Sequence, residues 1–489
     1  MLKKFNILLL VLILLYPASA ISSNATPDQV LVIYEKTWFD TNGNGKSDSL
    51  DVAEYYMSKR NIPAENILEV DTGITGVFDT HISLADYETK IAAPVRNWLD
   101  TNSKKNKIFY IVMCLGMRYG IETTSTSVDA LLTDPYTPIG GGRSGTFGYS
   151  PVRNATEERT SNTHVWTGRA TPTPYYLVCR LDGPSLAICK GLVDKAVQAE
   201  KDKLWKYHPY LGYVDYGWAT SAGWQMDYEV QCIRPNENLF ISQGWMVTKE
   251  TTTSLFSSVT NCLWYSGLYA HYFTGTFAFQ TGAVALHMES NVATDFRNWR
   301  AKDLANQRWC AGFLNSGVTA TAGTVDEPYI TGTLMQDVFF DRFLKSQYKF
   351  NFANAIYAAN AYGASSSADW MMIMIGDPLY CIYNSPADPV VTITANPFDI
   401  VKIYPQPFRP ATSETGGMRW ANLPVDVTID IFDGSGKTIR TLKEAEQGNT
   451  TIVVWDGRDE TGAFLPSGIY YYSANNGTHR KAGKIAYIK

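Results

Sequence analysis

Residues 40–51 have the spacing of a calcium-binding loop, D-x-N-x-N-G with an acidic residue at the twelfth position. Carboxylate, amide and main-chain carbonyl oxygens are the ligands that Ca²⁺ prefers. The predicted ligands are Asp40, Asn42, Asn44, the carbonyl of Lys46, Asp48 and Asp51. The twelfth residue is Asp rather than the longer Glu, so the alternative is a polar turn that caps the following helix. Bound calcium would stabilise this loop rather than take part in catalysis.

His287 is a second candidate for chemistry, because it ends an apolar run and stands two residues before Glu289. An imidazole beside a carboxylate can act as a general base. Asp326 and Glu327 follow the next predicted strand and are expected to enter the same crevice. These four residues form the predicted catalytic group. The alternative is a hydrogen-bonded structural histidine.

Asp129, Arg180 and Asp182 form a third candidate group, because each lies at or near a predicted strand end. A guanidinium held by carboxylates can clamp an anionic substrate group, and it can equally be a structural ion pair. We predict a binding role for these three residues and keep the ion pair as the alternative.

The elements that would position these residues alternate along the larger part of the chain. Apolar runs and helical spacings give strand, helix, strand, helix and strand over residues 30–34, 49–60, 66–70, 87–99 and 108–114. This order predicts an α/β fold, with a large and mostly parallel sheet covered by helices on both faces. We assign it to residues 26–384, with a long polar excursion near 133–171. Ligands bind such sheets beyond the carboxyl ends of the strands.

The last part of the chain has a different pattern. Residues 385–398 are rich in Pro, Ala and Thr and are predicted to be a linker. Residues 399–489 contain short β-rich runs separated by Asp-Gly and Asn-Gly turns, at 433–434, 456–457 and 476–477. This spacing predicts a small all-β sandwich.

Residues 1–20 are predicted to be a cleaved export signal, with Lys3 and Lys4 before a ten-residue apolar run and an A-x-A-like end. We expect no membrane span after cleavage, and therefore an extracellular or outer-surface protein, with the periplasm as the alternative. The net charge is −5, which provides no basic excess for nucleic-acid binding. The seven cysteines form no C-x-x-C pair, so a structural zinc site is not expected.

The C-terminal region resembles the FlgD-like immunoglobulin-type module, which is similar to the sorting domains of secreted bacterial proteins. The resemblance rests on residues 401–410 (VKIYPQPFRP), 455–459 (WDGRD) and 466–470 (PSGIY). It implies a β-sandwich used for export, surface attachment or spacing, with the secretion machinery as a partner. A passive stabilising domain is the alternative.

The large domain resembles an uncharacterised family of exported bacterial proteins from exosortase-carrying species. The residues that carry the resemblance include 127–129 (SVD), 180–184 (RLDGP), 326–329 (DEPY) and 376–380 (GDPLY). A weaker resemblance is to gingipain-like cysteine peptidases, which implies a caspase-like fold. In that alignment Leu268 stands where the catalytic His would be and His287 stands near the Cys position, so the usual dyad is absent.

These observations predict an exported or cell-surface protein that is a non-catalytic or non-thiol relative of gingipain-like peptidases. It would bind an extracellular peptide, glycan or surface matrix, with structural calcium as its cofactor. One alternative is an exported hydrolase that uses a crevice around His287 and Glu327. Another is a structural component of the surface or matrix. Whether the chain is an enzyme stays open at this point.

Overall fold

The computed structural model describes the α/β part, with gaps, over residues 25–76, 80–136, 154–157, 161–164, 173–204, 211–219, 222–270, 272–297, 307–327, 330–360 and 371–383. The C-terminal part is described over 401–410, 417–421, 423, 427–443, 452–477 and 480–489. The predicted signal peptide and linker lie outside these ranges, as does most of the predicted polar excursion.

A ten-stranded sheet organises the larger part of the chain. The strands of this part are β1 Val30–Glu35, β2 Ile67–Val70, β3 His81–Ile82, β4 Tyr110–Cys114, β5 Gly120–Ile121, β6 Thr163–His164, β7 Thr173–Pro174, β8 Leu177–Leu181, β9 Leu211–Asp215, β10 Met246–Glu250, β11 Ser258–Leu268, β12 Thr276–Met288, β13 Ala320–Thr324 and β14 Met372–Ile375. The sheet order is β10-β9-β11-β12-β13-β14-β8-β4-β1-β2. Neighbouring strands pair in parallel except β13 and β14, which are antiparallel. The predicted mostly parallel α/β fold is therefore confirmed.

Ten α-helices accompany the sheet within the described residues. They are α1 Asp48–Arg60, α2 Leu84–Tyr87, α3 Ala93–Thr101, α4 Val128–Leu132, α5 Leu186–Lys201, α6 Trp224–Tyr228, α7 Pro235–Ser242, α8 Trp309–Asn315, α9 Gln336–Leu344 and α10 Phe352–Ala358. Short π-helical turns at Glu88–Ala92 and Glu229–Ile233 connect α2 to α3 and α6 to α7. Within the described residues, no helix has both the length and the apolar composition needed to cross a membrane.

The first helix illustrates how local sequence determines its bounds. The Ser47 side chain accepts a hydrogen bond from the Leu50 amide, as an N-cap does, and Asn61 ends the helix in a left-handed conformation. The prediction of a helix over 49–60 is therefore confirmed. The apolar spacing of residues 293–314 also predicts a helix. That prediction is wrong in its first part, because residues 293–297 form turns and α8 begins at Trp309.

The sheet is buried on both faces. Val30 and Val32 of β1 belong to one apolar cluster, whereas Leu31 and Ile33 belong to the other, and all four are fully buried. Side chains alternate between the faces of a strand, so a central strand in this position must be apolar throughout. The same reason explains the continuous run of β4.

The C-terminal part has a core of its own. Its strands are β15 Lys402–Tyr404, β16 Met418–Ala421, β17 Thr428–Phe432, β18 Thr438–Lys443, β19 Ile452–Trp455, β20 Gly468–Asn475 and β21 Arg480–Tyr487. They form antiparallel sheets in the orders β15-β16-β19 and β18-β17-β20-β21. Trp420 and Trp455 are fully buried in this core. Gly457 and Gly477 have φ of 85° and 89°, which explains glycine at two of the predicted turns.

Candidate functional site

The ends of β12 and β13 lie side by side, as the sequence predicted. The two strands pair in parallel, with Leu286 opposite Ala322, so both end at the same edge of the sheet. Beyond that edge, the Asn291 amide donates to the Asp326 carbonyl at 3.2 Å, and the Thr324 hydroxyl donates to the Glu289 carbonyl at 3.1 Å. The segments that carry the predicted catalytic group therefore meet.

The imidazole of His287, however, is enclosed by packed side chains. It is 5% exposed, and its ring stacks on Trp309 with the centroids 3.5 Å apart and an interplanar angle of 9°. Nε2 contacts the Tyr269 carbonyl, and Nδ1 lies 3.3 Å from the Tyr265 hydroxyl. Burial lowers the pKa of His287 to about 3, so the ring is neutral at physiological pH. This is the geometry of a structural histidine.

The three predicted carboxylates lie outside this enclosure. Glu289 is half-buried and accepts a hydrogen bond from the Ser290 amide at 2.9 Å. Glu327 is exposed, and its amide donates to the half-buried carboxylate of Asp326 at 2.8 Å. Glu289 and Glu327 both contribute to a raised pKa of Tyr269, after the larger effect of burial, so both carboxylates lie near that ring.

The cavity beside His287 is small. It measures about 20 Å³, and its lining includes Glu289, Thr324, Tyr228 and Gln336. That volume holds about one water molecule. The imidazole therefore has space for a water and no space for a peptide or a sugar.

Asp215, at the end of β9, is a buried titratable group that the sequence predictions missed. Its Oδ2 accepts a hydrogen bond from the Tyr265 hydroxyl at 3.0 Å, whereas its buried Oδ1 has no hydrogen-bond partner. Burial raises the pKa of Asp215 to about 7. The available signal was a carboxylate that follows the apolar run 211–214, the same signal that selected His287.

The predicted binding group, Asp129, Arg180 and Asp182, is brought together as a buried ion network. The Arg180 guanidinium donates to both Asp129 oxygens at 2.6–2.9 Å and to Asp182 at 3.2 Å. It also donates to the carbonyls of Met117 and Arg118 at 2.7 and 2.6 Å. All five N–H donors of the arginine are thereby used. Arg180 is fully buried and has no donor left for a substrate.

Arg297 completes this network, and the sequence predictions missed it. Its Nε donates to Asp182 at 2.8 Å, and a second nitrogen contacts both Asp182 and the Met117 carbonyl. The network thus connects the segment after β12 with those after β8 and β4. Arg297 lies in a segment that forms turns, whereas the sequence pattern assigned it to a helix, so no strand end pointed to it.

The predicted calcium loop folds around the Asp40 side chain. Its carboxylate accepts hydrogen bonds from the amides of Gly43, Asn44 and Gly45 at 2.7–3.1 Å. The side chains of Asn42 and Asn44 both contact the Asp51 carboxylate, at 2.5–3.0 Å.

Asp48, another of the predicted calcium ligands, is placed differently. The buried carboxylate of Asp48 accepts from the Thr41 amide and hydroxyl, at 3.1 and 2.6 Å. The amide of Lys46 donates to the Asn44 side chain at 2.9 Å, while its ammonium pairs with Glu54. Each of the two asparagines therefore presents its Nδ2 to Asp51, while its Oδ1 accepts from a main-chain amide.

Comparison with known proteins identifies the C-terminal region. Residues 412–479 match the family described as the FlgD Ig-like domain. This match agrees with the antiparallel sheets and confirms the predicted FlgD-like module. It covers the C-terminal region alone and does not identify the larger domain.

No curated protein matches the chain. Among solved structures, PorZ of Porphyromonas gingivalis, described as a surface component of the type-IX secretion system, is similar to 26% of this chain at 23% identity, with a TM-score of 0.17. PorU of the same bacterium is similar to 18% at 20% identity, with a TM-score of 0.14. The similar segments span 15% and 9% of those chains.

A protein described only as a protease is similar to 94% of this chain, and the similarity spans 98% of that protein. The identity is 10% and the TM-score 0.42. These structural scores are too low to establish a shared fold for the larger domain, and we infer no activity from them.

Proposed function

We propose that the chain is an exported or cell-surface protein whose α/β domain binds an extracellular peptide or polymer without catalysing its cleavage. In this proposal the FlgD Ig-like module attaches or sorts the protein. The enclosed state of His287 is the observation that carries the proposal. A general base must reach the proton that it removes, and this ring is covered by Trp309 and engaged at both nitrogens.

The cysteines support the same conclusion, because thiol chemistry needs an accessible thiolate. All seven are free and buried. Burial raises the pKa of Cys310, the cysteine next to Trp309, to about 12. A thiol in this state is a packing group.

Export is supported by the signal pattern of residues 1–20 and by the C-terminal family match. Leu12 lies in the middle of the apolar run, so Leu12→Arg should keep the protein inside the cell. Antibody labelling of intact cells measures this. Equal surface labelling of the parent and the variant would contradict the proposal.

A hydrolysis assay tests the absence of catalysis. The full chain is incubated with casein and with a fluorogenic glycoside panel, beside His287→Ala and Glu327→Gln. We expect no turnover above buffer in any of the three proteins. Turnover by the parent that is lost in Glu327→Gln, an exposed position where folding is preserved, would establish the hydrolase instead.

Binding is tested separately with immobilised peptide and glycan libraries. We expect saturable binding of the full chain to members of one library. Binding to neither would leave a structural surface component as the function.

We also propose that residues 40–51 bind one Ca²⁺, which would stabilise the loop that precedes α1. Calcium should release heat on titration into the parent and none into Asp40→Ala. Glu54→Gln is the matched control, because Glu54 pairs with the Lys46 ammonium outside the predicted ligand set. If calcium titration into the parent protein releases no heat, the site is rejected. The polar capping turn would then explain the sequence pattern.

A further inference from the structure

A pocket of about 480 Å³ lies between α7 and α9, away from the predicted catalytic group. Ring packing of Phe240 on Phe340, with centroids 4.9 Å apart, fixes the spacing of the two helices. The lining is mostly polar, with Asn236 and Asn238 from one helix and Asp337 and Asp341 from the other. The volume falls within the range of small-ligand sites and accommodates a long side chain.

Asn236 is fully buried, and only the nitrogen of its side-chain amide has hydrogen-bond partners. Its Nδ2 donates to the Cys232 carbonyl at 3.0 Å and to the Ser266 hydroxyl at 2.9 Å. The carbonyl can only accept, and Ser266 donates its own proton to Gln336, so the amide cannot be reversed. Its Oδ1 is therefore left as a buried acceptor without a hydrogen-bond partner.

Asp337 provides a second acceptor of this kind. Its Oδ1 is shielded from solvent and has no hydrogen-bond partner, although the carboxylate as a whole is hydrogen-bonded by the Cys232 thiol and by main-chain amides. The cations on the pocket wall do not serve it, because Arg342 and Lys345 both pair with Asp341. Asp337 is absent from the ion pairs found among the described residues. Burial raises the pKa of Asp337, the hydrogen bonds to its carboxylate lower it in part, and Asp341 adds a small upward contribution. A cation in the pocket would oppose the two raising effects.

We propose that this pocket binds the basic side chain, lysine or arginine, of an extracellular peptide. Both groups place full or partial negative charge beside the pocket, and the carboxylate has no ion pair among the described residues, so a cation is favoured over a neutral ligand. The aliphatic stem would lie against Leu239 and Val338, which also line the pocket. The inference deepens the proposed peptide-binding function and rests on it for the source of the ligand.

The test uses the full chain with N-acetyl-lysine amide and N-acetyl-arginine amide as probes, followed by ligand-observed NMR. N-acetyl-norleucine amide is the matched neutral probe. We expect saturable binding of the basic amides in the millimolar range and at least about tenfold weaker binding of norleucine. Equal binding of all three, or no saturation by about 10 mM, would overturn the pocket.

Two variants with opposite expected effects on binding affinity test whether the probes bind in this pocket. Asp337→Asn should weaken binding of the lysine probe at least about tenfold. Asp86 is an exposed carboxylate paired with Lys90, so Asp86→Asn should leave the affinity for the probe unchanged. Asn238→Asp adds a charge at the pocket and should strengthen binding, a result that misfolding cannot produce. Unchanged affinity in Asp337→Asn or in Asn238→Asp would refute the assignment. A chain that binds library peptides but neither basic probe would refute the pocket alone and leave the proposed function standing.

Discussion

Asp215, Tyr265 and His287 form a buried chain of hydrogen bonds whose proton count depends on pH. The His287 Nε2–H donates to the Tyr269 carbonyl, so Nδ1 must accept. The Tyr265 hydroxyl has one proton and two acceptors, His287 Nδ1 and Asp215 Oδ2. When Asp215 is ionised, the tyrosine donates to its Oδ2, and His287 Nδ1 lacks a donor. When Asp215 is protonated, it can donate to the tyrosine oxygen, and the tyrosine proton is then available to Nδ1. Burial raises the pKa of Asp215 to about 7, so both protonation states are populated near neutral pH.

Asp215→Asn should therefore stabilise the protein in alkaline solution. The folded pKa of about 7 exceeds the ordinary value of 3.8, so the parent loses stability as the pH rises between these values. At pH 8 we expect the variant to exceed the parent by about 2–4 kcal/mol, because each pKa unit corresponds to about 1.4 kcal/mol. The difference should vanish near pH 4. Urea unfolding at both pH values measures it, with Asp86→Asn as the exposed control. A constant difference at both pH values would contradict the proton count.

His287→Phe should have the opposite pH dependence. The folded pKa of His287, about 3, lies below its ordinary value of 6.5, so the parent loses stability as the pH falls from 6.5 towards 3. At pH 7 the variant should be less stable by about 1–2 kcal/mol, because the Tyr269 carbonyl loses its donor. This deficit should shrink or reverse by pH 4 in the same urea experiment. A deficit that grows in acid would show that His287 is protonated in the folded state.

At the scale of elements, the buried arginines hold strand ends and loops together. Arg180 on β8 contacts Asp129 of α4 and the carbonyls of Met117 and Arg118, which follow β4. Buried charges are retained only when every partner is present, because each isolated charge is costly in a low-dielectric interior. The network therefore specifies how the segments at this sheet edge meet.

Arg180→Met should destabilise the fold by about 3–5 kcal/mol, since it leaves Asp129 and Asp182 buried with fewer partners. The double variant Arg180→Met/Asp129→Asn should lose less than the sum of the single changes, because one uncompensated charge is removed. Lys90→Met, in an exposed pair with Asp86, is the control and should cost less than about 0.5 kcal/mol. Chemical unfolding of the parent, the two single variants Arg180→Met and Asp129→Asn, the double variant and Lys90→Met measures these losses. Additive losses would show that the two residues do not act as a pair.

At the scale of the molecule, the chain builds separate cores in its two parts. The α/β part packs on both faces of the ten-stranded sheet, and the C-terminal part packs around Trp420 and Trp455. Trp455 is fully buried, and its indole N–H donates to the Arg458 carbonyl at 2.8 Å. Separate cores are expected to unfold as separate cooperative units.

Trp455→Ala should consequently lower the midpoint temperature of one calorimetric transition and leave that of the other unchanged. Removing a buried tryptophan costs about 3–5 kcal/mol, all of it within the C-terminal core. Trp264→Ala, in the core of the α/β part, is the reciprocal control. A single transition that shifts equally in both variants would mean that the two cores unfold together.

The sequence by itself determined the elements and their class. Continuous apolar runs such as β4, the cap at Ser47 and the turn glycines near Gly457 act over a few residues, so the α/β sheet and the C-terminal β part could be predicted from them. The sequence also predicted that the residues after β12 and β13 lie at one edge of the sheet, because the carboxyl ends of neighbouring parallel strands lie at the same edge.

Only the tertiary structure decided what those residues are able to do. His287 is covered by Trp309, the first residue of α8, whereas the sequence pattern started that helix at residue 293. A residue distant in sequence that buries a side chain leaves no local pattern. The same holds for Arg297, which fills the network at Asp182, and for the acceptors of Asn236 and Asp337. Exposure, pKa and hydrogen-bond satisfaction depend on every element packed around a group, so spacing along the chain cannot supply them.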